Sequence, residues 1–492
     1  MPDLDRLVRY CNAAPACRAL VQLAQDVSAP LYLVGGAVRD LLLGRPLRDW
    51  DFAGRTAMEF ARKFAEAQSS KVIMLHEDQP TARVPVGQGE GGCTLLDFCD
   101  LRADGIESDL AARDFSINAI AYDLAEPELI DPLGGVDDIR AGIIRALGHD
   151  NLHADPLRCL RAYRLAAELG FTIAERTREW IRALAPELSE VAGQRIGDEL
   201  YKLLYPPRVS ETIAMMDQDG VLAVILPELE EGRGMPQPSL HHLDVRAHSL
   251  AAVTEMEKLI IDPTGALPGS HDELEEYLTR TEVPPLLLMA ALLHDIGKPR
   301  CFTREAGGRI RFKGHGKVGA AMVREMLRRF AWPAEVRRTV AAFTQHHLRP
   351  LELAGRGQDG VIEQEHSEQF VTMSAIRRLF REVEPHELGL VVLAIADSRA
   401  ATGPAATPQH QTEVEFILDD MLHRYLAYQQ QQAREPLLTG QDLIAAGYQP
   451  GPLFSEMLRA VEDARTDGEV RTKQQALELA RRVAQDHGIP PR

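Results

Sequence analysis

Residues Leu31–Phe52, LYLVGGAVRDLLLGRPLRDWDF, constrain the fold of this 492-residue chain more than any other stretch. The apolar run Leu31–Val34 reads as a buried strand, and Gly35-Gly36 as the tight turn after it. Without Cβ atoms, two glycines let backbone N–H groups approach an anion closely, and the helix opening behind them adds its positive end. Arg48-Asp49-Trp50-Asp51-Phe52 reads as a second strand. Side chains alternate along a strand, so Asp49 and Asp51 fall on one face, where two like charges are costly unless a cation lies between them. A phosphate cradle beside a hard-oxygen metal site is what nucleotidyl transfer needs.

With Arg39-Asp40 between them, these two features resemble the GG-x-x-R-D and D-x-D elements of the tRNA nucleotidyltransferase and bacterial poly(A) polymerase family, in its class II, CCA-adding branch. Asp109–Ala119, DLAARDFSINA, is similar to that family's D-L-x-R-R-D-F-T-I-N-A block, and Asp131-Pro132-Leu133-Gly134-Gly135 to its D-P-x-G-G turn. Asp155-Pro156-Leu157-Arg158, running through Arg161 and Arg164 to Leu169-Gly170-Phe171, resembles the motif that opens the family's neck. These matches cover about the first third of the chain.

The resemblance implies a set of roles. Asp49 and Asp51 would hold Mg2+, which activates the RNA 3′-hydroxyl and neutralises the triphosphate. Asp97, in the strand Thr94–Phe98, is either a third carboxylate or a strand-end Asp bonded to backbone. Gly35, Gly36 and Arg39 would form the nucleotide-phosphate turn, and Arg113 a triphosphate or ribose contact through its fixed fork. Asp114 and Asn118 would shape that region or bond the ribose. Asp155 and Arg158, three apart on a helix, would share a face and read a Watson–Crick edge, one accepting and one donating, with Arg161 nearby. Asp155-Pro156 also fits a helix N-cap followed by Pro at the first position. Arg164, Arg176 and Arg178 are expected to face RNA.

Two departures from the family pattern bear on specificity. Ala154 stands where the family usually has Glu. Only Ala103–Ser108 lie between Leu101-Arg102 and Asp109-Leu110, where full CCA-adding members carry a long loop associated with switching from C to A addition. The expectation is therefore CC addition to tRNA from CTP, with A addition or poly(A) synthesis from ATP as the alternative.

The second constellation lies further on. His294-Asp295 ends the apolar helix Leu286–Leu293, and burying both without a cation is costly. With His248, His315, His346-His347 and Asp397 it resembles the H…HD…D set of the HD phosphohydrolase superfamily. The resemblance implies a divalent metal (Mn, Ni, Fe, Zn or Mg) held by His248, His294, Asp295, His315, His346 and Asp397, and a rival function as a metal phosphohydrolase on phosphoesters.

The length requires several domains. The expected fold class is α+β: a mixed nucleotidyltransferase head at 1–146, a helical neck at 147–235, an HD helical domain at 236–400 and a helical tail at 401–492. Head strands are expected near 31–34, 48–53, 72–75, 82–86 and 94–98, with looped segments at Pro227–Pro238, Asp262–Ser270 and Gly355–Gly360. A net charge of −18 does not exclude RNA, which senses the local field. The arginines of 324–338 read as a solvated helix face. Six scattered cysteines without a C-x-x-C spacing fit reduced thiols in a cytoplasm. No apolar run approaches a membrane span, no leader pattern opens the chain, and no protein partner is identifiable.

Overall fold

In the computed structural model the chain forms two compact units, residues 1–203 with 215–225, and 204–214 with 226–492. The structure describes residues 2–27, 29–47, 49–75, 81–87, 93–101, 104–238, 241–305, 307–353, 371–404, 406–431, 436–466 and 469–487. The looped segment Gly355–Gly360 and the pair Arg102 and Ala103 lie outside the described residues.

In the first unit, α1 (Pro2–Ala13) and α2 (Pro15–Val27) precede β1 (Leu31–Val34), α3 (Gly36–Leu43), β2 (Asp49–Gly54) and α4 (Ala57–Ala67). Next come β3 (Ile73–Met74), β4 (Thr81–Gly87), β5 (Cys93–Asp100), α5 (Ile106–Ala111), β6 (Ala121–Asp123), β7 (Glu128–Ile130) and α6 (Gly135–Ala141). The seven strands form one sheet in the order β3-β4-β5-β2-β1-β6-β7, antiparallel except between β2 and β5. Trp50 and Phe52 of β2 are buried, and Phe52 stacks on Phe98 with ring centroids 5.1 Å apart. Phe64 of α4 meets the same Phe98 at 6.2 Å. Each such ring removed from water contributes about 2–3 kcal/mol, which fixes the face to which β2 turns its aromatic residues. By alternation Asp51 takes the other face.

After the sheet the chain continues through β8 (Ile143–Ile144), α7 (His149–Ala154), α8 (Leu157–Leu169), β9 (Thr172–Ile173), α9 (Glu175–Leu184) and α10 (Gly193–Leu203). β8 and β9 pair in parallel, and α8 packs on α10. Buried Asp219 accepts from Tyr163 Oη at 2.7 Å, from Arg178 at 2.8 and 2.9 Å, and from Arg182 at 3.0 Å.

Among the described residues, the second unit is helical apart from the two-stranded β10 (Thr303–Arg304) and β11 (Ile310–Arg311). All eleven residues of Val283–Leu293 are buried, and this helix packs against Val245–Ile261, Ala334–His346 and Glu387–Ala400. A helix apolar all round belongs at the centre of a helical layer, and here its end carries His294-Asp295. The last helices, Gly440–Ala445, Pro452–Thr466 and Lys473–Asp486, close a small core of their own around Leu443, Met457, Val461 and Ala480. Two capping boxes, Thr439 with Asp442 and Thr472 with Gln475, start the first and third of them. Among the described residues, no helix is long and apolar enough to cross a membrane.

Candidate active site and metal centre

The first site grows from the turn after β1. Gly35 has φ 69° and ψ −132°, and a Cβ there would lie 2.7 Å from Arg113 Nη1. Both the conformation and the approach of the guanidinium require glycine. The diglycine turn and Arg113 therefore meet, and α3 begins at Gly36 with its free N–H groups beside them. Arg113 is held from behind by Asp109 at 3.1 Å.

Asp51 and Asp97 are register partners on the parallel strands β2 and β5. The side chain of Asp49 lies outside the described residues; its backbone opens β2. Asp97, expected as a third carboxylate or as a strand-end Asp bonded to backbone, is paired with a side chain. Arg83, its register partner on β4, takes both its oxygens at 2.8 and 2.7 Å, and a carboxylate so engaged must break that fork before it meets a metal.

A hydrogen-bonded series leads from the turn to helices α8 and α10. Arg39 donates to Asn118 Oδ1 at 2.7 Å, and Asn118 donates to Asp114 at 3.0 Å. Arg161 donates to Asp114 at 3.0 Å, and Glu199 accepts from Arg161 at 3.4 Å and from Arg164 at 2.6 Å. Burial alone would raise the Asp114 pKa, but Arg161, Asn118 and the Phe115 N–H hold it below the usual carboxylate range. Gly135 of the DPLGG turn is fixed by sterics, since a Cβ there would lie 2.1 Å from the Ser116 carbonyl. Asp131 caps the helix that follows, accepting from Gly135 N at 2.7 Å and Val136 N at 2.9 Å.

Asp155 and Arg158 are not on one helix. Asp155 is the extended C-cap of α7, φ −148° and ψ 94°, and α8 starts only at Leu157, because the residue before a proline is driven out of helical geometry. The two stay close through the Arg158 N–H, which donates to the Asp155 carbonyl at 2.9 Å. Asp155 accepts from Arg195 at 2.8 Å, a partner unseen in the sequence, while Arg158 donates to the carbonyls of Asn151 at 2.9 Å and Ala112 at 3.2 Å. Arg158 thus ties down the segment that carries Arg113.

The arginines expected on RNA are engaged elsewhere. Arg178 belongs to the Asp219 cluster, and Arg164 pairs with Glu168 and Glu199. Arg176, 71% exposed, pairs with Glu179 and lies over Trp180, so it alone of the three is presented to solvent.

The second site gathers His248, His294, Asp295, His315, His347 and Asp397, all buried. His248, His294 and Asp295 bring ligand atoms within 4.8 Å of one another, as do Asp295, His315 and His347, so Asp295 belongs to both groups. His294, His315 and His347 each make the same bond, Nδ1 to the carbonyl three residues earlier (Ala291, Phe312 and Thr344), at 2.8, 2.9 and 2.9 Å. With a proton on Nδ1, each Nε2 offers a lone pair inward. The Nε2 atoms of His315 and His347 lie 3.4 Å apart, a repulsive contact unless a cation joins them. The oxygens of Asp295 lack a well-oriented hydrogen-bond donor, although Lys298 Nζ is 2.6 Å away. Such a set fits a divalent metal.

Burial would push His294 down, but Asp295 and Asp397 raise it to about 10, so a metal binding there must displace a proton from Nε2 before the lone pair is free. Burial beside His347 depresses His315 to about 4. The expected ligand His346 is corrected to His347: they are consecutive at the end of a helix, about 100° apart, and only His347 joins the cluster. Three glycines let the backbones converge. A Cβ on Gly297 would lie 2.2 Å from the His315 carbonyl, one on Gly316 2.7 Å from the Gln345 carbonyl, and one on Gly319 2.9 Å from Thr344.

Comparison with known proteins matches family models over the stretches that carry both sites. Residues 31–145 match the model described as Poly A polymerase head domain, 170–232 the probable RNA and SrmB-binding site of polymerase A, and 248–402 the HD domain. An A-adding tRNA nucleotidyltransferase of Deinococcus radiodurans is 35% identical over 464 residues, 92% of this chain and 95% of that protein. A CC-adding tRNA nucleotidyltransferase of Thermus thermophilus is 32% identical, over 90% of this chain and 91% of its own. The fold is shared with a Thermotoga maritima CCA-adding enzyme solved with tRNA, at TM-score 0.60 and 23% identity, covering 96% of this chain and 94% of that one. The chain belongs to the tRNA nucleotidyltransferase family.

Proposed function

We propose that this enzyme adds cytidylate residues, without a template, to the 3′ end of tRNA. The observation that carries the reaction is the contact of Arg113 with Gly35 in a sheet whose β2 bears Asp49 and Asp51. In this reading the turn and Arg113 hold the triphosphate, and Arg39 and Asn118 keep the turn in shape. Asp49 and Asp51 would hold Mg2+, which supplies Lewis-acid charge at the attacking 3′-hydroxyl and the departing pyrophosphate. Asp155 accepts from the exocyclic amino group of cytosine, Arg195 orients that carboxylate, and Arg158 donates to the base edge beside it. Arg176 contacts the tRNA backbone. Six scattered cysteines without a C-x-x-C spacing fit a reducing, cytoplasmic setting.

Specificity for C rests on the short connection between β5 and α5, residues 101–105. It is too short to form a lever reaching Asp155 and enlarge the base site for a purine. A addition is the second reading, favoured by the A-adding relative. The test is a tRNA ending at the base before CCA, incubated with CTP and ATP together and sequenced at its 3′ end. Ends at CC support the proposal; an added A overturns it. The six-residue cluster supports a second, metal-dependent site for phosphoester hydrolysis, with Asp295 shared by two ligand groups.

A further inference from the structure

The four consecutive carbonyls of residues 111–114 are all taken by residues of the stretch 147–158. Asn151 Nδ2 donates to the carbonyls of Ala111 and Arg113, each at 2.8 Å. Between these two, the Ala112 carbonyl accepts from Arg158 Nη1 at 3.2 Å, and the Asp114 carbonyl accepts from the Leu147 N–H at 3.2 Å. The same Arg158 nitrogen donates to the Asn151 carbonyl at 2.9 Å, so the two gripping residues are tied to each other. Phe115 and Ala146 extend the seam as an antiparallel bridge. Two carbonyl oxygens can be met only by the nitrogen of an amide, and both N–H bonds of Asn151 are committed to them. The other end of the amide is closely backed, since a Cβ on Gly148 would lie 2.9 Å from Asn151 Oδ1. Asn151 stands on α7, whose C-cap is Asp155, and Arg158 stands on α8. One side chain thus connects the segment bearing Arg113 to the segment bearing Asp155 and Arg158.

We propose that Asn151 is a positioning residue for nucleotide selection: by fixing Arg113 relative to Asp155 and Arg158, it sets the span between the triphosphate site and the base site. Hydrogen bonding alone does not separate C from A, because both present an exocyclic amino group beside an acceptor ring nitrogen. They differ in reach, since a purine carries that edge one ring farther from the ribose. A site that holds phosphate and base edge at a fixed span accepts the pyrimidine and strains the purine. Without Asn151 the carbonyls of Ala112 and Asp114 keep their own donors, so the segment stays folded while its span loosens. This inference rests on reading Arg113 as the triphosphate contact and Asp155 with Arg158 as the base readers.

The test is steady-state addition to a tRNA ending before CCA, with CTP and ATP supplied separately, by the full chain and its Asn151→Ala, Gly148→Ala and Asp51→Asn variants. Asn151→Ala is expected to raise the KM for CTP by about tenfold, the loss of two hydrogen bonds to main chain, with kcat changed by less than about threefold. The ratio of kcat/KM for CTP to that for ATP should narrow by about the same tenfold. Gly148→Ala displaces the amide without removing it, and should move the ratio in the same direction by a smaller factor. A residue that only supports the fold would lower the melting temperature and depress both nucleotides alike. An unchanged CTP-to-ATP ratio in Asn151→Ala therefore overturns the role of Asn151 and leaves the proposed reaction intact. A wild-type preference for ATP overturns the cytidylate reading and the pyrimidine span with it. An Asp51→Asn protein of wild-type activity overturns the reading of the head on which both depend.

Discussion

One oxygen of Asp114 accepts from Arg161 at 3.0 Å while the other accepts from Asn118 at 3.0 Å, so a single carboxylate joins the phosphate turn to helix α8. Asp114→Asn should destabilise the protein by about 2 kcal/mol at pH 7. That is less than the ~3–5 kcal/mol of a fully buried pair, since Arg161 is 31% exposed. The sign with pH follows from the depressed pKa. The contribution is full above the unfolded value near ~4 and is lost as pH falls through the lower folded value. Urea denaturation of both proteins from pH 7 down to 3 checks this. Curves that stay parallel down to pH 3 would remove Asp114 from the acid limb.

Arg178 should matter for stability and not for tRNA. Asp219, its partner, is 1% exposed in the side chain, and Asp219→Asn should cost about 3 kcal/mol. Arg178→Ala should lower the melting temperature yet leave tRNA affinity within about twofold, whereas Arg176→Ala should weaken tRNA binding and flatten its salt dependence. Filter binding at two salt concentrations separates them. A large loss of tRNA affinity in a folded Arg178→Ala protein would restore that residue to the RNA face.

The second centre makes a prediction that distinguishes neighbours in sequence. His347→Ala should lose bound divalent metal on dialysis, because its Nε2 lies 3.4 Å from both His315 and Asp295. His346→Ala should keep it. Metal analysis of the two variants decides, and equal loss from both would return His346 to the ligand set.

That choice between adjacent histidines shows where the sequence stops being readable. Strand β1 is legible as Leu31–Val34 because four apolar residues run into a diglycine, and β2 because Trp and Phe alternate with Asp. Strands β6 and β7 have three residues each, too few for any periodicity to register. The histidine–aspartate set is legible as residue types, but which His faces inward depends on where a helix stops. The ion pairs of Asp97, Arg164 and Arg178 were hidden from the sequence for a shared reason. Their partners, Arg83, Asp219 and Glu199, come from other elements of the fold, and a pairing across elements leaves no local spacing to read. One missed signal was present: Gly297, Gly316 and Gly319 lie near the histidines, and each marks a close approach of backbones.

The turn itself gives the most restrictive prediction. Gly35→Ala should reduce nucleotide addition by at least about a hundredfold, the scale on which one preorganised electrostatic contact acts. The residue sits at φ 69°, where a Cβ costs about 1–3 kcal/mol in strain. Strain is the smaller effect. The Cβ would lie 2.7 Å from Arg113 Nη1, and the guanidinium has little freedom to withdraw, because Asp109 holds it at 3.1 Å and Arg158 ties down the carbonyl of Ala112 beside it. Gly36→Ala meets only the end of Arg39, at 3.5 Å, an ordinary contact, and should be tolerated in folding. Incorporation of labelled CTP into tRNA, compared for the two variants and an Asp51→Asn control with circular dichroism on all three, is the measurement. Equal activity of the two alanine variants would mean that the contact between Gly35 and Arg113 does not hold the triphosphate, and the phosphate turn would have to be sought elsewhere in the head.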